Sequence, residues 1–133
     1  MNKILVAFDG GDPARRALAS AIDLAKKFGA TITVVSVVPV HPGRAPIDPW
    51  DDTTVHAREL VEARELLQKE GIEAHLIEPA GDPAKTIERI AADGGFDTVV
   101  VGSKGLGVLS RFLQGSVSEH VATHADATVV IVR

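Results

Sequence analysis

Thr98-Val99-Val100-Val101-Gly102-Ser103-Lys104-Gly105, followed after nine residues by Gly115-Ser116, is the stretch from which the rest of the chain is best read. A short β-branched apolar run that gives way at once to glycine reads as a buried strand ending in a turn. Glycine lets a backbone approach a ligand closely and adopt angles denied to other residues. Backbone N–H groups clustered after a strand, beside the start of the next helix, suit an anion such as a phosphate.

Working outward, apolar runs at about 3–8, 30–38, 72–78, 98–101 and 127–132 read as strands, alternating with helical patterns. Four of them are nearly continuous in Val, Ile, Leu and Ala, as expected where helices cover both faces of a sheet. The third, Ile72-Glu73-Ala74-His75-Leu76, alternates and reads as a half-exposed edge. Alternating strands and helices predict an α/β fold, an open five-stranded parallel sheet built from βαβ units with helices on both faces.

The helices carry their own punctuation. Asp12 is the expected cap of the first, with Pro13 in its first turn and Gly29 as its stop. Ala14, Ala17, Leu18, Ala21, Ile22, Ala25 and Phe28 make its apolar face. The second is expected from about Asp52 to Glu70, with Leu60, Ala63 and Leu67 inward. The third repeats the opening signal with Asp82-Pro83, continues through Ile87, Ile90 and Ala91, and ends near Gly94-Gly95. The fourth opens with Ser116-Val117-Ser118-Glu119, at capping-box spacing, and turns Val117, Val121 and Ala125 to the sheet. Between the second strand and second helix, residues 39–50 hold four prolines and the sole tryptophan, Trp50. Such a stretch is expected to be neither helix nor central strand. It reads as a plain surface connector, with a lid over a ligand as the alternative.

Composition narrows the function. The 133 residues suit one domain with a real core. A net charge of −4 leaves no global basic footprint for nucleic acid. The absence of cysteine excludes disulfides, thiol catalysis and zinc thiolate sites. No apolar run reaches membrane-spanning length, and the first residues read as a strand rather than a signal peptide. A cytoplasmic location is therefore expected.

In open α/β sheets, ligands gather past the carboxyl ends of the strands where the strand order reverses. The first strand ends in Asp9-Gly10-Gly11 and the fourth in Gly102. If those strands are neighbours at the reversal, a carboxylate faces a glycine cradle across one crevice. The carboxylate can accept from ribose hydroxyls or an adenine amine and the cradle can hold phosphates, so the pair reads as a nucleotide site. Asp9 as a mere turn cap is the alternative. A Walker A loop, a dinucleotide Gly-x-Gly-x-x-Gly after strand one and a Gly-x-Ser-x-Gly elbow are all absent.

These residues resemble the ATP-binding branch of the universal stress protein family. Its nucleotide motif is Gly, two residues, Gly, nine residues, Gly, then Ser or Thr. Gly102, Gly105, Gly115 and Ser116 match every spacing. Val6-Ala7-Phe8-Asp9-Gly10 resembles the family's opening, and Gly115-Ser116-Val117-Ser118-Glu119 and His124-Ala125 are also typical of it. The resemblance covers essentially the whole chain, read as a single nucleotide-binding domain over residues 1–133. It implies strand order 3-2-1-4-5 and, in most members, a homodimer. It implies that Asp9 contacts the adenosine portion and that backbone near Ala7 and Val37 lines the adenine pocket. Val101, Gly102, Lys104 and Gly105 would approach ribose and phosphates, and Gly115, Ser116 and Val117 would bind phosphates. The implied ligand is ATP, with ADP or AMP as alternatives, accompanied by Mg2+. Three departures stand out: Gly11 where the family usually has Ser, Ser36 where His is common, and a short segment after strand two.

The expected role is that of an ATP-binding stress-response or signalling protein. A slow ATPase or adenylyl-transferring enzyme, and a nucleotide-free dimeric scaffold, are the alternatives. No water-positioning residue is placed by motif beside the cradle, so no catalytic residue is assigned. Lys104 and Arg111 are as readily solvated as phosphate-bound, while Arg15 and Arg16 read as a solvated face. His120 and His124 share a helix face at i, i+4. With no third ligand nearby in sequence, they read as surface or interface residues rather than a metal pair. The last run, Thr128 to Val132, carries no charge, whereas the other expected edge carries Glu73, His75 and Glu78. An apolar edge invites pairing with a second copy, here expected through residues 127–132.

Overall fold

The computed structural model describes residues 1–38, 49–103 and 116–133, with the side chains of 49–57 and 116–119 left aside. Its elements alternate strictly: β1 (Lys3–Ala7), α1 (Asp12–Phe28), β2 (Thr31–Val35), α2 (Pro49–Lys69), β3 (Ala74–Ile77), α3 (Pro83–Asp93), β4 (Thr98–Gly102), α4 (Ser116–His124) and β5 (Thr128–Val132). All neighbouring strands pair in parallel, in the order β3-β2-β1-β4-β5. The fold class and strand order are those expected.

Side chains divide between the two faces with the period of two that a strand imposes. Ile4, Val6 and Phe8, Ile32 and Val34, and Val100 join the face covered by α1 and by Ala63 and Leu67 of α2. Leu5 and Ala7, Val35 and Val37, and Val99 and Val101 join the opposite face, covered by Ile87 and Ala91 of α3 and Val121 of α4. Both faces of the central strands are therefore dry, which is why β1, β2 and β4 read as unbroken apolar runs. β3 is an edge with its residues half-buried or exposed. β5 is the other edge, and Ile131 is 43% exposed there.

Four local expectations change. Asp12 does not cap α1. Gly11 occupies the N-cap position without a side-chain cap bond, and Asp12 is the first helical residue. Phe28 sits in the last turn of α1 half exposed rather than inward. α2 starts at Pro49, so the last proline of the 39–50 stretch and Trp50 are helical. Proline's fixed φ and missing N–H suit a first helical turn, where that N–H would lack an intrahelical partner anyway. β2 and β3 are also shorter than the apolar runs that contain them. Beyond Val35, however, pairing continues through Ser36 N–H to the Ile77 carbonyl and a bridge between Val38 and Ala80. Residues 39–48 lie outside the described residues, and so does the choice between connector and lid.

Candidate functional site

β1 and β4 lie side by side in register Ile4–Thr98, Leu5–Val99, Val6–Val100, so their carboxyl ends open onto the same end of the sheet. The chain goes from β1 to β2 on one side, while β4 lies on the other, so this is where the strand order reverses. A helix joining two parallel strands runs back against them. The starts of α1 and α4 therefore also lie at this end, with their N–H dipoles toward it.

The β1–α1 junction is built by Asp9. Its half-buried carboxylate accepts the Gly11 N–H at 2.9 Å through Oδ1, closing a tight turn around Gly10. Gly10 has φ 79°, in the left-handed region that favours glycine. A side chain at residue 10 would also meet Glu59, whose Cγ lies 3.0 Å from where a Cβ would sit. Asp9 is thus both the organiser of its own turn and a carboxylate at the crevice.

Gly102 ends β4 against the first turn of α1. A Cβ there would stand 2.7 Å from the carbonyl carbon and oxygen of Pro13. Backbone cannot yield as a flexible side chain does, so glycine is required for the two junctions to meet. Beyond it, Ser103 N–H continues the ladder to the Val132 carbonyl at 2.7 Å.

Ala7, Val37 and Val101 are buried in the sheet's second face, so what they can offer a ligand is backbone. Ser116 and Val117 begin α4. Lys104, Gly105 and Gly115 lie outside the described residues, as does Arg111. The structure therefore brings together Ala7, Asp9, Val37, Val101 and Gly102 at one end of the sheet.

Glu59 was not legible as a site residue. It is buried on α2, and its Oε2 accepts the Ser36 hydroxyl at 3.2 Å. Ser36 itself is fully buried. The signal was present in phase: Glu59 lies four and eight residues before Ala63 and Leu67, on the inward stripe of α2. An acid on that stripe places a carboxylate beneath Gly10, next to the ends of β1 and β2. Nearby, Arg15 of α1 bonds Glu62 of α2 at 2.6 Å and Asp12 at 3.1 Å. The hydrogen bond that Arg15 donates to Glu62 is the chief cause holding this guanidinium above its ordinary pKa. The exposed triad ties α1 to α2 at the rim, and Arg15 is not a bare solvated residue.

The model of the universal stress protein family matches residues 1–133. The chain belongs to the universal stress protein family. Universal stress protein YxiE of Bacillus subtilis is 32% identical over 151 aligned residues, which span 99% of each chain. A universal stress protein of Archaeoglobus fulgidus, solved in complex with dAMP, is 26% identical with a TM-score of 0.78. That alignment covers 100% of this chain and 98% of the other. A member from Arabidopsis thaliana with AMP bound shares the fold at a TM-score of 0.75 and 21% identity, over 99% of this chain and 91% of its own. Adenine nucleotides are thus found on relatives with the same sheet. Among the described residues of this member, no helix is long and apolar enough to cross a membrane.

Proposed function

We propose that this universal stress protein binds an adenine nucleotide, ATP with Mg2+, and works as a nucleotide-dependent stress-response or signalling protein of the cytoplasm. The observation that carries the reading is the adjacency of β1 and β4, which puts Asp9 and Gly102 at one switch point. The described half of the crevice fits such a ligand. It offers a half-buried carboxylate for the adenosine part, backbone at Ala7, Val37 and Val101, and the start of α4 for an anion. The spacing of Gly102, Gly105, Gly115 and Ser116 supplies the argument for phosphates. Mg2+ would supply neutralising charge at those phosphates. Asp9 accepts hydrogen bonds and orients the nucleoside, while the glycines exclude side chains from the phosphate path.

Titration calorimetry with ATP, ADP and AMP tests the reading. Binding of ATP in the presence of Mg2+ is expected, and its loss in Gly115→Val with the fold retained. No binding of any of the three nucleotides overturns the proposal. We further propose a homodimer across the uncharged β5 edge. A particle of monomer mass in light scattering at micromolar concentration would exclude it.

A further inference from the structure

We propose that Glu88, His120 and His124 form a binding site for a divalent transition-metal cation such as Zn2+, clamping α3 to α4 independently of the nucleotide crevice. His120 and His124 sit one turn apart on α4, and Glu88 comes from α3, 32 residues earlier than His120 in sequence. One ligand atom from each of the three lies within 4.8 Å of the others. The donors around a tetrahedral zinc stand about 3.3–3.6 Å apart, given metal–ligand distances of about 2.0–2.2 Å. The difference is within reach of three partly exposed side chains.

The hydrogen bonds already arrange the donors. His124 Nδ1–H donates to the His120 carbonyl at 2.9 Å, which leaves the lone pair of the neutral ring on Nε2. The two rings stack with centroids 4.1 Å apart, so both imidazoles present themselves to one side of α4. His120 Nδ1 lies 2.5 Å from Glu88 Oε1, in hydrogen-bond contact through the imidazole proton. A cation that replaces this proton takes a lone pair from each, and the imidazole proton moves to Nε2. A carboxylate, two imidazoles and water form a donor set suited to zinc, since imidazole is a good ligand for it and the carboxylate offsets part of its charge. Glu88 is mostly shielded, with 17% side-chain exposure, while His120 at 40% leaves the open position to solvent.

The test uses the full chain freed of nucleotide and of other metals. Zn2+ is titrated by calorimetry, and Co2+ is followed by its visible absorption. One equivalent is expected to bind at micromolar concentration and to raise the melting temperature, since a cation held by both helices favours the folded state. His120→Ala, His124→Gln and Glu88→Gln are each expected to weaken binding about tenfold or more. His124 is exposed, so its variant is a safe reporter if Glu88→Gln unfolds the α3–α4 contact. Failure of the wild type to bind Zn2+ or Co2+ overturns the proposal. So does unchanged affinity in the histidine variants, which would put the metal at His41, His56 or His75. Loss in both histidine variants with none in a folded Glu88→Gln also overturns it, leaving a two-histidine clip in place of a three-ligand site.

Discussion

The dipeptide Asp-Pro stands at the start of three helices, at Asp12-Pro13, Asp48-Pro49 and Asp82-Pro83, and the copies at α1 and α3 do different things. At α3, Asp82 is the N-cap and its carboxylate accepts the Lys85 N–H at 3.0 Å, satisfying the first turn from within. At α1, everything is shifted by one residue. Gly11 is the N-cap, Asp12 is already helical, and its carboxylate turns outward to Arg15. Asp9 does the organising instead, from the strand side of the turn. The difference lies in what surrounds each helix start. α3 begins at the edge of the sheet, after a turn held by Gly81 N–H to the Val38 carbonyl. α1 begins at the switch point, wedged against Gly102 of β4. The α3 start is capped by its own side chain, whereas the N-cap of α1 makes no side-chain bond and stands at the end of the sheet where a ligand is proposed.

The comparison can be broken most severely at Gly102. Gly102→Val is expected to cost about 3 kcal/mol of stability, the upper part of the overpacking range, because the new Cβ meets Pro13 backbone. Urea unfolding measures it, and a loss below that of a surface substitution would mean that the two junctions are not wedged. Asp9→Ala comes next. Losing a charge-assisted hydrogen bond to the nucleoside should weaken adenine-nucleotide binding by about 1.5–3 kcal/mol. Asp12→Ala should leave that affinity unchanged, and equal effects of the two would erase the distinction between them.

Asp82→Ala should then cost about 1 kcal/mol of stability, the usual value of an N-cap, with no change in nucleotide affinity. Thermal melts beside calorimetry separate the two readouts. A weakened affinity in Asp82→Ala would couple the α3 start to the site after all.

The smallest effect lies at the other end of the sheet. Asp97 accepts Asn2 N–H at 2.8 Å, the Thr98 hydroxyl at 2.8 Å and Lys3 N–H at 3.2 Å. The Asn2 bond first, then the Thr98 hydroxyl, holds its carboxyl below the usual value. A group lowered on folding stabilises the protein above its unfolded pKa of about 3.9, and that contribution is lost as pH falls through the folded value. Melting temperature should therefore drop more steeply below about pH 4 in the wild type than in Asp97→Asn. Identical acid limbs would show that the bonds do not discriminate between charge states.

Much of this was legible in order. The apolar runs of β1, β2 and β4 are unbroken because both faces of those strands are covered, and the glycines and Asp-Pro pairs mark the helix limits to within a few residues. What was misplaced was misplaced for local reasons. Pro49 looked like part of a stiff connector, although proline is equally at home in a first helical turn. Phe28 fell in phase with the apolar face of α1, yet it sits half exposed at the helix's last residue. Asp12 was a sound cap by residue type, yet the glycine before it took the position because the turn is held by Asp9.

The sequence by itself determined the element order, the two-faced burial of the sheet, the family and the glycine spacing that points to a phosphate. These are properties of neighbours along the chain, where periodicity and turn chemistry act over a few residues. Only the tertiary structure decided which distant groups meet. It placed Gly102 against Pro13, Glu59 against Gly10 and Ser36, and Glu88 beside His120. Each pairing joins residues from different elements, brought together by the order in which strands pair and by the packing of helices across them. No local periodicity encodes such a contact, because it depends on the sheet that lies between or beneath the two elements.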